Sequence, residues 1–582
     1  MTTGVDIVVA ALPLLLAGVL LIGFLWPATR AMPLAWVAAL VVGYTAWSMP
    51  VNWLAAASAV GVMTAFEILW IVFGALVLLY TLMEAGAFDR INRGFATVSD
   101  DRRVQIVLIA FFMATFIEGA AGFGTPAAVV APLLLGLGFP ALAAVVAGII
   151  GHIIAVTYGA VGTPIVVGIQ DPLESVEFTR QAIEGGGMTV QEFSFEVAAW
   201  AATYHALVGF VMPLFAVGMV VYFFGDPDDR SLAPAWEVAP LCLLSGIAFA
   251  VPYWLSAWFL TAEFPSLIGS MVGGAIILSI LRAGYLLPDD EWEFPEREKW
   301  EDHWVGTIEP GQSNGSNGKD TSMEAEAADL SGGEDMTLMR AWSPYVLLVL
   351  LLVVTRAVAP VSNFINRDIF ILSWNEILGT SLSGAVAWMN VPGFWLLVSA
   401  VLAIPIFGMS GEEVGEAWKE AARKIVSPFI ALIFVIAMVQ VMLQSGAHPG
   451  APEAGSMIVL LAQTTADTLG VAYPAVASLI GALGAAMAGS NTVSNITFGA
   501  FQFEAATQLG LPRTIVVGAQ AVGGAIGNLV AIHNLVAALA TVGLLGQEGR
   551  VMRLNMIPLL YYATGVGVLC VLFSYVLFPG VF

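Results

Sequence analysis

Apolar residues fall along this chain in long blocks separated by short polar or glycine-rich interruptions. Twelve blocks approach or exceed the roughly 20 residues that a helix needs to cross a hydrocarbon core of about 30 Å. They are 5–26, 33–48, 60–83, 140–169, 201–225, 238–259 and 264–287, then 344–360, 392–408, 427–443, 514–545 and 556–578. Two further stretches, 104–138 and 473–511, are apolar but broken in the middle. The first break carries Glu118-Gly-Ala-Ala-Gly-Phe-Gly-Thr-Pro126 and the second Ala488-Gly-Ser-Asn-Thr-Val-Ser-Asn-Ile-Thr-Phe498. The runs beside the second break, 473–487 and 499–511, are each too short to cross. The pattern predicts two re-entrant helical hairpins, the second with its tip at Gly489 to Thr497. Irregular backbone at mid-depth is tolerated only where protein surrounds it or a water-filled cavity touches it, which makes each tip a candidate site. A single Ser, Asn or Thr in such a place is ordinary packing glue between helices. Ser490, Asn491, Thr492, Ser494, Asn495 and Thr497 crowded into one stretch are not.

A shift of 372 residues carries one hairpin onto the other without a gap, taking Glu118 to Ser490, Thr125 to Thr497, Gly138 to Gly510 and Pro140 to Pro512. It also carries the amphipathic piece 86–98 onto 458–470. The repeat unit is then three crossings, a hairpin and two more crossings. Seven crossings, an odd number, precede the second unit, so the repeat is inverted, as in secondary transporters with a midplane site. The expected organisation is a first half at 1–225, connecting helices at 226–287, an acidic flexible cytoplasmic linker at 288–342 and a second half at 343–582. The fold class is an all-α polytopic membrane protein.

Composition agrees: the chain is 59% hydrophobic and 11% charged, with a mean hydropathy of +0.88, so most of it dissolves in lipid. Its net charge of -23 lies in the loops and argues against nucleic acid as a partner. With both termini outside, all of the 20 Lys and Arg residues but Arg180, Arg356, Arg367 and Arg513 fall on the cytoplasmic side. The first block has no basic region before it and no small-residue cleavage site after it, so it is expected to be a retained helix. Cys242 and Cys570 sit in apolar blocks without metal or redox spacing. The acidic segment 170–196 reads as a surface loop.

The two interrupted motifs, with the Gly- and His-containing helices after each, resemble the L-lactate permease family over roughly 60–169 and 427–545. The resemblance implies uptake of L-lactate, and often glycolate or related 2-hydroxy acids, by symport with a cation in the cell membrane. Ser490-Asn-Thr492 also resembles the hairpin-tip motif of the wider ion transporter superfamily, which implies an elevator-type transport domain and a homodimer. A sodium-coupled dicarboxylate carrier is the alternative, but only one Ser-Asn-Thr triplet is present because the first hairpin carries Glu118 instead.

The chemistry suits a small monocarboxylate. Each hairpin tip aims a helix N-terminus, with unpaired N–H groups and partial positive charge, at the cavity. Gly122 and Gly124 bring backbone close to substrate, while Thr125 and the Ser, Asn and Thr side chains of the second tip can donate to a carboxylate or accept from a 2-hydroxyl. Glu118 is the first candidate for ion coupling, because a charged carboxylate at mid-depth costs about 2.5–3.5 kcal/mol on insertion scales. Its alternative is a protonated acid capping the hairpin's own backbone. His152 and His533, on the helices after the hairpins, are either proton relays or satisfied core histidines. Glu67, inside a crossing, is the second acid candidate. Tyr158, Thr163, Gln520, Asn528 and Asn534 read as inter-helix bonds. No His-Glu-x-x-His, cysteine cluster or phosphate loop is present, so neither catalytic residues nor a metal is expected, and no cofactor beyond transported H⁺ or Na⁺.

Overall fold

The computed structural model describes residues 4–582 apart from 25, 97, 123, 309 and 311–335. Eleven helices among the described residues are long and apolar enough to cross a membrane, or up to twelve if Arg513–Val530 and Ile532–Thr541 count as one bent span. The only sheet among them is a two-stranded ribbon, Leu372–Trp374 antiparallel to Gly384–Val386. The chain is a polytopic α-helical membrane protein.

The helices sort into two packed bodies. In the smaller, Val51–Glu84 packs against Pro392–Phe407 and Gly411–Gln444, with Gly4–Gly18, Ala28–Thr45 and Leu338–Ala357 around it. Its crossings are close because small residues meet there: a Cβ on Gly61 would lie 2.5 Å from the Ala437 backbone. The larger body contains both interrupted stretches and the helices that follow them. The helix Arg102–Ala120 lies deep inside it, with all of its most apolar window buried, whereas Gly4–Gly23 has only 28% buried. The first faces protein throughout; the second offers its apolar side outward.

Both interrupted stretches are helix–turn–helix units. In the first, Arg102–Ala120, which is π-helical over Ile106–Met113, is followed by Thr125–Gly136. The chain returns to the end where it began, since the Arg102 guanidinium stands 5.8 Å from the Phe139 ring. In the second, Tyr473–Ala488 and Asn491–Leu509 are rungs of one ladder: Tyr473 Oη donates to Gln502 Oε1 at 2.6 Å and Ser494 Oγ to the Gly481 carbonyl at 2.7 Å. Here the expected tip, Gly489 to Thr497, is corrected. Gly489 alone takes the left-handed turn (φ +64°), Ser490 is the N-cap, and the helix resumes at Asn491. Ser490 Oγ accepts from the Val493 N–H, which lets the polar run start a helix at once instead of prolonging a loop. The 372-residue register holds at the base, where Pro140 and Pro512 each cap the next helix. It fails at the turns, because it carries Ile117, inside the first arm, onto Gly489.

Two expected crossings, 140–169 and 514–545, are broken. Helix Ala141–Gly151 passes into a 3₁₀ segment, Ile153–Tyr158, and then into Gly159–Val166, where Ala160, Val161 and Gly162 have φ of +43°, +55° and +78°. Pro164 has no N–H to give the Ala160 carbonyl, which accepts from Thr163 Oγ1 at 2.6 Å instead. In the second, Asn528 Nδ2 donates to the carbonyls of Gly524 and Ala525 at 3.0 and 3.2 Å, and the helix bends by 44° before Ile532–Thr541.

Two loops also differ from expectation. The segment 170–196 forms the helices Gln170–Ser175 and Glu177–Gly185 and the start of a longer one, because Leu173, Thr179 and Ile183 find buried positions. The linker expected at 288–342 is anchored over 288–308, while 311–335 lies outside the described residues. Buried Arg103 pairs with Asp101 at 2.7 Å and donates to the Asp290 carbonyl at 2.8 Å, Lys299 pairs with Asp226 at 2.6 Å, and the Thr307 N–H donates to the Gly543 carbonyl at 2.9 Å. These bonds strap the segment across one end of the larger body.

Candidate functional site

Four breaks in helical backbone meet at one place: the two hairpin turns, the left-handed turn at 160–162 and the bend at 528–531. Between them lies a cavity with about 360 Å³ of empty volume. Glu118, Gly122 and Gly124 line it from the first hairpin, and Gly489, Ser490, Asn491 and Thr492 from the second. His152, Val156, Gly159, Ala160 and Pro164 come from one broken helix, Asn528 and Asn534 from the other. Glu118 and His152 are the ionisable groups of this lining, which holds no Lys or Arg.

Two glycines make room for the polar groups. A Cβ on Gly159 would fall 2.2 Å from Glu118 Oε1, and a Cβ on Gly524 would fall 2.0 Å from Asn491 Oδ1. Glu118 and His152 are each 4% exposed, with Glu118 Oε2 4.0 Å from His152 Nε2. His152 Nδ1–H donates to the Gly148 carbonyl at 2.7 Å, so it is Nε2 that faces the carboxyl group. With His152 neutral, that nitrogen is an acceptor.

Asn491 is 3% exposed, and neither Nδ2 nor Oδ1 has a hydrogen-bond partner among the described residues. An unmatched buried amide costs about 1–3 kcal/mol for each group left unsatisfied. Three polar residues after it are engaged. Ser494 Oγ bonds to the Gly481 carbonyl, Asn495 Nδ2 donates to the Pro164 carbonyl at 2.9 Å, and Thr497 Oγ1 donates to the Val493 carbonyl at 2.8 Å. Ser494 thus joins the two arms, Asn495 ties the hairpin to the 159–166 segment and Thr497 bonds its own helix, and none of the three lines the cavity. Thr125, at the start of Thr125–Gly136, lies just outside it. His533 stands in an adjoining cleft, where Nε2–H donates to the Ala488 carbonyl at 2.8 Å. That cleft shares Gly489, Ser490 and Asn534 with the cavity and continues between the second hairpin and the smaller body, past Trp26, Leu432 and Val435. Glu67 is not part of the site; it takes a hydrogen bond from the Ala387 backbone and lies near Asp171 and Glu174.

Sequence reasoning passed over the 156–164 turn because it lies inside an unbroken apolar block. Gly159 and Gly162-Thr-Pro164 were its only signal. Asn528 and Asn534 read as packing residues, yet both line the cavity; Asn534 Nδ2 donates to Asn528 Oδ1 at 2.7 Å, which turns its own oxygen toward Gly124. Buried His205 also had no signal. Its Nε2–H donates to Thr157 Oγ1 at 2.7 Å while Nδ1 accepts from the Tyr562 hydroxyl, a chain that fixes the 3₁₀ segment behind the cavity.

The family model for L-lactate permease matches residues 6–577, which is nearly the whole chain. The chain belongs to the L-lactate permease family. Family relatives include a putative L-lactate permease of Haemophilus influenzae, 28% identical over 84% of this chain and 84% of that protein. The L-lactate permease of Bacillus subtilis is 27% identical over 84% of this chain and 81% of its own length. A glycolate permease of Escherichia coli is 25% identical and covers 98% of this chain and 96% of its own length. Among solved structures, the Alcanivorax borkumensis YdaH transporter is similar at a TM-score of 0.38 and 14% identity, over 88% of this chain and 86% of that one, too remote to carry over any residue.

Proposed function

We propose that this chain is a secondary active transporter of the cell membrane that carries L-lactate, and small 2-hydroxy monocarboxylates such as glycolate, inward together with a proton. The observation that carries the reading is the unmatched Asn491 amide, buried in one cavity with the Glu118–His152 pair. A 2-hydroxy acid presents an acceptor carboxylate and a donor hydroxyl on adjacent carbons, and a primary amide presents the complementary donor and acceptor on one carbon. The N–H groups of Asn491 and Thr492, at the start of their helix, add the partial positive charge that a carboxylate seeks. Without a guanidinium in the lining, the anion is held by dipoles and hydrogen bonds, weakly enough to be released on the other side.

Glu118 and His152 supply the coupling. Ionised Glu118 beside neutral His152 is a net buried charge, and one added proton, on either group, cancels it or pairs it. The proton offsets the charge that the anion brings, so the loaded site is no more negative than the empty one when the larger body moves. The two hairpins enter the bilayer from opposite faces, and the larger body slides against the smaller one in an elevator-like motion.

Purified protein in liposomes tests this directly. Labelled L-lactate accumulates when the lumen is alkaline and not when only a Na⁺ gradient is imposed, and Glu118→Gln loses accumulation but keeps lactate–lactate exchange. Accumulation driven by Na⁺ alone, or wild-type accumulation by Glu118→Gln, overturns the proton assignment. Absence of lactate or glycolate counterflow in the wild type overturns the substrate.

A further inference from the structure

At one end of the larger body, away from the transport cavity, a second cavity with about 760 Å³ of empty volume is lined by Arg230, Arg550 and Arg553 together with Glu301 and His303 of the anchored 288–308 segment. Its charges are poorly matched. Glu301 is the one carboxylate in the lining, and it already pairs with Arg230 at 2.9 Å and lies 3.4 Å from His303. Arg553 Nε donates to the Gly549 carbonyl at 3.1 Å, which orients the guanidinium and leaves its terminal nitrogens without an acceptor among the described residues. The Arg550 side chain has no hydrogen bond among them. Burial first, then the Arg550 charge, lowers the His303 imidazole below its ordinary value, so the positive charge of the cavity comes from the arginines.

The placement of two of these arginines is unfavourable twice over. Arg550 and Arg553 are three residues apart on Glu548–Leu572, so they share a helix face and repel. Arg550, exposed like Arg553, also lies in the first turn, where the helix dipole disfavours cations. In a chain of net charge -23, acidic residues are abundant, yet Glu301 is the only one in the lining, and Glu548 of the same helix end turns its carboxylate to the Gly546 N–H at 3.0 Å. An anion seated between the two guanidinia and the helix N-terminus reverses both penalties. The wall beneath is apolar: Phe223 and Leu554 line it, and Phe224 meets buried Trp304 edge-on at 5.3 Å.

We propose that this cavity is a binding site for a phosphate-bearing anion, held by Arg550 and Arg553 with Arg230 behind them. Forked guanidinia match phosphate oxygens in pairs, and a basic pocket with an apolar wall at the end of a helix bundle accepts either an anionic phospholipid headgroup or a soluble phosphate compound.

Two arms separate these sources. In native mass spectrometry of the purified full chain, a lipid site retains phosphatidylglycerol and not phosphatidylcholine, and Arg550→Ala/Arg553→Ala lowers that retention about tenfold or more. A soluble site shows instead as a rise in melting temperature with pyrophosphate in wild type only. Arg550→Lys/Arg553→Lys falls between, because charge remains and the fork is lost. The alanine pair melts, without ligand, no lower than wild type, which shows that it folds. Equal retention of the two lipids, together with equal melting of wild type and variant in pyrophosphate, overturns the proposal.

Discussion

Asn491 is buried with both halves of its amide unmatched, and such a residue costs stability in the empty protein. Asn491→Ala removes the cost along with the function. The expected outcome is an unchanged or higher melting temperature without substrate, by up to about 1–3 kcal/mol of stability, and a loss of roughly tenfold or more in kcat/KM for L-lactate. Thermal melting in detergent and initial uptake rates measure the two sides. Asn495→Ala is the contrast: Asn495 bonds to the Pro164 carbonyl, so its loss lowers stability. Gly159→Ala asks a related question of Glu118, since the new methyl carbon would fall 2.2 Å from Glu118 Oε1 and must displace the carboxyl from its present place beside His152. Its expected phenotype is that of Glu118→Gln, with exchange kept and accumulation lost, read in the same liposome assay. At this scale the sequence revealed residue types and not their partners. Six polar side chains within 490–497 looked equivalent, and only the folded structure shows that Ser494 bonds across the hairpin arms, Asn495 bonds the Gly159–Val166 segment and Thr497 bonds its own helix.

Elements show the opposite balance. Most blocks reappear as helices within a few residues, such as 238–259 as Ala239–Phe259 and 427–443 as Val426–Gln444, because a lipid-facing helix must be apolar along its whole length. What stayed hidden were the breaks inside buried blocks, where protein surrounds the backbone and composition no longer reports on it. The turn at 160–162 is held from outside. Gly162 packs under Glu263, whose Cα would lie 2.8 Å from a Cβ there, and Glu263 is 2% exposed in a pair with Arg356 of the smaller body. Arg356 also donates to Asn390 Oδ1 at 2.7 Å, so one guanidinium ties three segments together. Arg356→Ala leaves a buried carboxylate without its partner, an arrangement that costs about 3–5 kcal/mol. A clear drop in melting temperature is expected, and Glu263→Gln in the same chain restores most of it by removing the stranded charge. A single variant that melts like wild type would show that the pair has no structural role.

For the whole molecule, the cavity lies in the larger body while its adjoining cleft opens along the smaller one. One contact is polar and well placed for a test: Gln440 Nε2, on the smaller body, donates to Ser175 Oγ at 3.3 Å, beside Gln444 Nε2, which donates to the Ser175 carbonyl at 3.0 Å. The helix Gln170–Ser175 packs on Asn491–Leu509, so it moves with the second hairpin. A short bifunctional thiol reagent joining Ser175→Cys to Gln440→Cys ties the bodies in the arrangement seen here. The native cysteines, Cys242 and Cys570, are both buried and free, so they take little part in the reaction. If the larger body must slide for the cavity to change sides, the cross-linked protein keeps substrate binding but loses counterflow, and a reducible reagent gives counterflow back on reduction. If the hairpin tips alone open and close while the bodies stay fixed, cross-linked protein exchanges lactate at the wild-type rate, and the sliding motion is excluded. The outcome bears on Glu118 as well: a buried acid that travels with its whole body carries its proton across on the loaded journey, whereas one beside a gate that opens locally can exchange it with water at either face.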